Sequence, residues 1–181
     1  NKPTSRISRH EDTNGDGVYD KHSVFVDKLV LPRNILALDD RLIVGTTHTL
    51  DLWTYRDTDG DAVADEKIKI HKGGKRGGNM EHQPNGLIWA VDNWMYLTYE
   101  NVRYRFTDGK LIKQRIPNGN GQWGLTQDDH GRIYYSRAGA EVPALIDLVG
   151  TVAKEAGVQA HGHVIDGRVK VGFIRGAVAR E

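Results

Sequence analysis

Two segments carry side-chain oxygens at the spacing that wraps a hard cation: Asp12-Thr13-Asn14-Gly15-Asp16-Gly17-Val18-Tyr19-Asp20 and Asp57-Thr58-Asp59-Gly60-Asp61-Ala62-Val63-Ala64-Asp65. Counted from the first Asp, oxygen side chains stand at positions 1, 3, 5 and 9 (Asp12, Asn14, Asp16, Asp20; Asp57, Asp59, Asp61, Asp65), and Val18 and Val63 offer a backbone carbonyl at position 7. Calcium is the natural occupant. Position 12 holds Ser23 and Ile68 instead of a bidentate Glu, so these are not EF-hands, and the weaker binding of extracellular calcium sites is expected. Ala62 stands where the sharp turn prefers glycine, so the second loop is expected to be distorted or weaker. The plain alternative is a solvated Asp/Asn/Gly turn, and the double occurrence argues against it. The expected task of the ion is to pin connections between strands, not to catalyse.

His82 is the titratable residue best suited to proton transfer. A neutral imidazole there would act as general base, with Glu81 beside it; the bland reading is a hydrogen-bonded loop histidine. His161 and His163 alternate on an extended segment, share a face, and would present two nitrogens to a transition metal. The basic run His71-Lys72-Gly73-Gly74-Lys75-Arg76-Gly77-Gly78 has the composition to grip a phosphate or carboxylate. It lacks the Gly-Lys-Ser/Thr ending of a P-loop, which favours a mobile loop. Trp53, Trp89, Trp94 and Trp123 are expected to pack mainly in the core, with stacking on a sugar ring as the alternative role for one at a channel mouth.

The elements that position these groups repeat. The Asp-rich loops are 45 residues apart, near the 40 to 50 residues of a four-stranded propeller blade. Three further stretches, Leu31 to Val44, Gln83 to Tyr96 and Gln122 to Tyr135, share a layout of strand, Asp-rich turn and strand, each predicting a central β-hairpin. Outer strands are expected at Ser23 to Val26, Leu50 to Tyr55, Lys67 to Ile70, Val102 to Phe106 and Leu111 to Arg115, the last two joined by the Thr107-Asp108-Gly109-Lys110 turn. The expectation is an all-β chain, a partial β-propeller of about three four-stranded blades over residues 1–141. Three blades leave open edges, which points to a fragment or to a homo-oligomer that completes the ring. From Val142 the pattern changes: Leu145, Leu148, Val149, Val152, Ala153 and Ala156 recur at helical spacing, and Asp166-Gly167 joins two short β runs, Val164-Ile165 and Val169 to Ile174. Residues 142–181 are therefore expected to be a short α/β tail of helix plus hairpin.

Composition excludes several function classes. Lys plus Arg (25) nearly cancels Asp plus Glu (24), so no global field draws the chain to nucleic acid or to an anionic membrane. There is no cysteine, hence no disulfide, thiolate metal site or Cys nucleophile. No apolar run reaches the roughly 20 residues of a membrane span, so membrane insertion is not expected.

Laid out in this way, the chain resembles the propeller of the large membrane-bound dehydrogenases of planctomycete-type bacteria, relatives of the soluble quinoprotein sugar dehydrogenases. The resemblance rests on the two Asp-rich loops, Glu81-His82-Gln83-Pro84-Asn85-Gly86-Leu87 and Gly121-Gln122-Trp123-Gly124-Leu125, and covers residues 5 to about 140. It implies oxidation of a small-molecule sugar or alcohol with pyrroloquinoline quinone as cofactor, His82 as base oriented by Glu81, and Gln83, Arg103 and Arg105 at the cofactor. It also implies a periplasmic or extracellular location. Asn120-Gly121 stands where those enzymes carry an Arg-Asn pair. A second expectation is a calcium-dependent lactone or ester hydrolase of the gluconolactonase and paraoxonase type, with Glu81, Asn85 and Asn120 converging on a channel calcium. A third is a non-enzymatic segment that binds carbohydrate or protein.

Overall fold

A computed structural model gives the chain as all-β, in small antiparallel sheets, none closed on itself. The structure describes residues 2–116 and 121–136 in full, and the backbone of three strands at 144–146, 160–165 and 168–173. The first sheet pairs β1 (Ser5–Glu11) with β2 (Lys21–Leu29) across the first Asp-rich loop. The second runs in chain order through β3 (Pro32–Ala37), β4 (Leu42–Thr46), β5 (Leu52–Arg56) and β6 (Glu66–His71), with the second Asp-rich loop joining β5 to β6. The third repeats that order in β7 (Ile88–Trp89), β8 (Met95–Tyr96), β9 (Val102–Thr107) and β10 (Lys110–Arg115). There a two-residue turn replaces the Asp-rich loop. Asp108 and Gly109 both have positive φ (50° and 71°), the hairpin geometry that a right-handed sheet twist favours.

Alternation along the central strands fixes how the sheets stack. In β4, Ile43 and Val44 are both fully buried, yet neighbouring residues of a strand point to opposite faces. Val44 accordingly packs with Ile7, Phe25, Val26, Leu29 and Tyr55, while Ile43 packs with Leu52, Leu87, Met95, Leu97 and Tyr104. The second sheet is thus covered on both faces, by the first on one side and the third on the other. β8 repeats the device: Met95 belongs to that second cluster, and Tyr96 packs with Ala90, Ile116 and Ile133. The β1–β2, β3–β4, β5–β6, β7–β8 and β9–β10 connections lie at one end of these sheets, and β4–β5, β8–β9 and the links between sheets lie at the other.

Beyond Ser136 the structure departs from the sequence expectation. β11 (Leu125–Gln127) and β12 (Ile133–Tyr135) form the expected hairpin, and Ala144–Ile146 joins them as β13, with Leu145 opposite Tyr134. Leu145 therefore lies in a strand, not a helix; a neighbouring unpaired edge on β12 outweighs a short apolar periodicity. The rest of the expected helix lies outside the described residues. β14 (Ala160–Ile165) and β15 (Arg168–Phe173) pair as an antiparallel hairpin that begins earlier than the expected Val164.

Candidate functional site

The two Asp-rich loops are superimposable in their hydrogen bonding. Asp12 accepts the N–H groups of Gly15 (2.7 Å) and Gly17 (2.8 Å), and Asp57 accepts those of Gly60 (2.7 Å) and Ala62 (2.9 Å). The N–H groups of Val18 and Val63 donate to Asp16 and Asp61 at 2.8 Å. Ala62 does not distort its loop. It adopts φ 68° where Gly17 has 87°, paying the left-handed strain of roughly 1–2 kcal/mol, while its methyl is buried and its carbonyl accepts the Ser23 hydroxyl at 3.0 Å. The second loop is in this way docked onto β2, reinforced by the Ala64 N–H to the Phe25 carbonyl at 2.8 Å.

Two of the expected ligands also hold the loop ends. Asp20 and Asp65 each use both oxygens on the backbone N–H and hydroxyl of Thr13 and Thr58, at 2.6 to 3.0 Å, so they brace the loop ends. Hydrogen bonds hold four carboxyls below the ordinary range: from the Gly17 N–H for Asp12, the Gly60 N–H for Asp57, and the threonine hydroxyls for Asp20 and Asp65. All four are anionic at neutral pH. In the second loop, carboxylate oxygens of Asp57, Asp59 and Asp61 lie within 4.8 Å of one another, the diameter of a shell at calcium's roughly 2.3–2.6 Å bond length. The first loop has Asn14 at the place of Asp59, and its amide donates to Asp16 at 3.2 Å. It brings two carboxylates and one amide to the position where the second brings three carboxylates.

Glu81 and His82 lie at the opposite end, in a short 3₁₀ turn, Met80–His82, that links the second and third sheets. The backbone of this turn is anchored from two sides. Arg76 donates Nε and Nη2 to the His82 carbonyl at 3.1 and 3.0 Å, and the Trp123 indole N–H donates to the Glu81 carbonyl at 3.1 Å. Both side chains remain open to solvent, and His82 Nε2 lies 3.8 Å from Glu81 Oε1, within ion-pair reach but longer than a hydrogen bond. Tyr99 completes the surround: its ring lies under the Arg76 guanidinium at 4.9 Å and 6.2 Å from the His82 ring. Its hydroxyl is buried without a hydrogen-bond partner. Tyr99 and His48 both hold positive φ (63° and 65°), and the Arg76 N–H bonds to the His48 carbonyl, so this surround includes two non-glycine residues in left-handed backbone.

The expected cofactor residues do not gather there. Arg103 bonds Asp92 (3.0 Å), the Tyr96 hydroxyl and Gln114, and Arg105 bonds the Asn93 carbonyl; their guanidinium groups lie 4.5 and 4.3 Å from the Trp94 ring. Both therefore serve the turn end of the β7–β8 hairpin, away from its opening end at Gln83. Gln83 is buried, with its amide held between the His48 N–H and the Asn79 carbonyl. Asn85 donates its amide to the carbonyls of Gln83 and Gln122, and so ties two linking segments together. Asn120 lies outside the described residues, as do the side chains of His161 and His163.

The basic glycine run is tied to Asp51 at its first two glycines. Asp51 accepts the N–H groups of Gly73 and Gly74, both at 2.9 Å, and the Lys69 ammonium at 2.6 Å. An internal carboxylate thus fills the place an external phosphate would take. A Cβ on Gly73 would sit 2.5 Å from the Leu50 carbonyl oxygen. Gly73→Ala is therefore expected to peel this run from the β4–β5 connection and to speed tryptic cleavage at Lys72 and Lys75, measured by limited proteolysis; an unchanged rate would contradict the packing. A separate cleft of about 570 Å³, lined by Ile7, His10, Phe25, Ile35, Arg41 and Asp57, opens at the Asp-loop end.

Residues 1–170 match the model of the domain of unknown function DUF7133. The chain belongs to this family. The DUF7133 match runs past residue 141 and ends at residue 170. A second similarity is to the regulatory protein E2 of Bovine papillomavirus type 1, 34% identical over 89 residues. It covers 49% of this chain and 21% of that protein, so the chain spans about a fifth of the length of this curated relative. No solved structure matches. Among the described residues of this DUF7133 chain, no helix is long and apolar enough to cross a membrane.

Tyr99 and Asp51 are members of these sites that sequence patterns alone do not single out, and the same patterns name Arg76 and Trp123 without these backbone partners. A usable signal existed for Arg76 and Asp51. One is an Arg within a glycine-rich run, and the other a lone Asp just before a strand, both residue types that seek charged or backbone partners.

Proposed function

We propose that this DUF7133 chain is a run of blades from a β-propeller, pinned at one end by calcium in the Asp-rich loops and presenting a ligand site around His82 at the other. The convergence of Asp57, Asp59 and Asp61 within 4.8 Å carries the calcium part. Four-stranded sheets in chain order, each buried between its neighbours through consecutive residues of one central strand, support the radial arrangement. In the second loop the three carboxylates would hold the ion, and its charge would relieve their mutual repulsion and stiffen the contact with β2.

The ligand site rests on an anchored backbone with free side chains. Arg76 and Trp123 fix the Glu81–His82 turn, leaving an imidazole and a carboxylate free to meet a hydroxyl-bearing small molecule. Residues present do not fit pyrroloquinoline quinone: Gln83, Arg103 and Arg105 all have internal partners. Binding of sugars and alcohols, followed by tryptophan fluorescence with Trp123→Phe as control, tests the site. His82→Ala is expected to weaken the response at least tenfold with an unchanged melting temperature. An unchanged response would remove His82 from the site.

A further inference from the structure

The first hairpin carries a feature that neither the Asp-rich loops nor the His82 turn uses. His10 and His22 stand directly opposite each other in the β1–β2 register, and both are exposed. Their ring centroids are 6.0 Å apart with planes inclined by only 22°, and the Tyr19 ring lies 6.1 Å from His10. Imidazole nitrogens bind zinc at about 2.0–2.1 Å, which places two ligating rings on one ion with centroids roughly 5–6 Å apart. The observed spacing falls in that range. The cleft that His10 also lines carries acidic and basic groups in equal number, Asp39, Asp40 and Asp57 against Arg9, Arg41 and Arg56. Strand alternation puts Arg9, Glu11 and Lys21 on the other face, where Glu11 pairs with both cations at 2.7 and 3.3 Å.

We propose that His10 and His22 form a two-imidazole site for a borderline transition-metal ion such as zinc or nickel, bridging β1 and β2 with water completing the shell. Imidazole suits these ions, whereas the all-oxygen loops suit calcium, so the two kinds of site sort their metals by ligand softness. An ion there cross-links the two strands that flank the first loop, and its binding stabilises the folded hairpin.

Zinc and nickel titrated calorimetrically into the full chain, with calcium in excess to occupy the oxygen loops, test the proposal. The wild-type chain is expected to show a binding event that weakens at least tenfold in His10→Gln and in His22→Gln, and zinc is expected to raise the melting temperature of the wild type but not of the double variant. Both positions are exposed, so the variants should fold, and the calcium response serves as the control. A wild-type chain without saturable zinc or nickel binding, or a double variant with the same isotherm, would overturn the assignment.

Discussion

Stripping divalent cations with a chelator is expected to lower the melting temperature by about 5–10 °C, and restoring calcium is expected to reverse it. The size follows from mass action: a ligand at about a hundredfold its dissociation constant stabilises the native state by about 2.7 kcal/mol, and about 1 kcal/mol shifts the melting point of a domain this size by about 2–4 °C. The second loop should account for most of the change. It brings three carboxylates together where the first brings two and an amide, and it alone is docked on β2 through Ser23 and Phe25. Asp59→Asn, which gives the second loop the first loop's donor set, should therefore reduce the calcium-dependent rise, while Asn14→Asp should increase it. Differential scanning calorimetry with and without calcium separates the two variants.

Tyr104→Ala is expected to cost about 3–5 kcal/mol, enough to unfold much of the chain at ambient temperature. Tyr104 is fully buried in the cluster shared by the second and third sheets, so its loss opens a cavity at their junction. Its hydroxyl donates to Glu100, itself a buried carboxylate, and burial followed by that charge pushes the phenol far above its ordinary range. Tyr104→Phe keeps the ring but leaves Glu100 without this donor, a loss of about 1–3 kcal/mol. Denaturant unfolding should rank the two variants in that order; equal losses would mean that the hydroxyl, not the ring, holds the junction.

A pH dependence should arise at the same junction. His71 packs against Tyr104 at 5.2 Å with a buried, unpartnered Nε2, and burial, then the nearby Lys113 charge, lowers its pKa below the usual 6.5. The unfolded chain then takes up the proton more readily than the folded one. Stability from this group is present above about pH 6.5 and is lost as pH falls through the folded pKa. His71→Leu should flatten the fall between pH 7.5 and 5.5 in denaturant midpoints; an unaltered slope would assign the effect elsewhere.

Much of the strand layout was legible because its signals are local. Alternating apolar residues, Asp-rich turns and the repeated loop each sit within about a dozen residues, and every central hairpin formed where that pattern placed it. What was not legible depends on partners far along the chain. Asp51 meets its glycines 22 and 23 residues later, Trp123 meets Glu81 at a separation of 42, and composition gives no hint of either. Arg103 and Arg105 show the same limit from the other side. Their residue type suits an anionic ligand, but strand register places them beside Trp94 and Asp92, and the nearest good partners took them. Ala62 departs from the expected distortion for a different reason. A methyl in left-handed backbone is strained by itself, yet here it gains a buried seat against β2.

Calorimetric titration of calcium into the metal-free chain tests most directly whether the matched acidic loops are ion sites. Two binding events are expected, with the tighter one abolished by Asp57→Ala and the weaker by Asp12→Ala. Absence of saturable heat, or a double variant that still binds calcium like the parent, would contradict it.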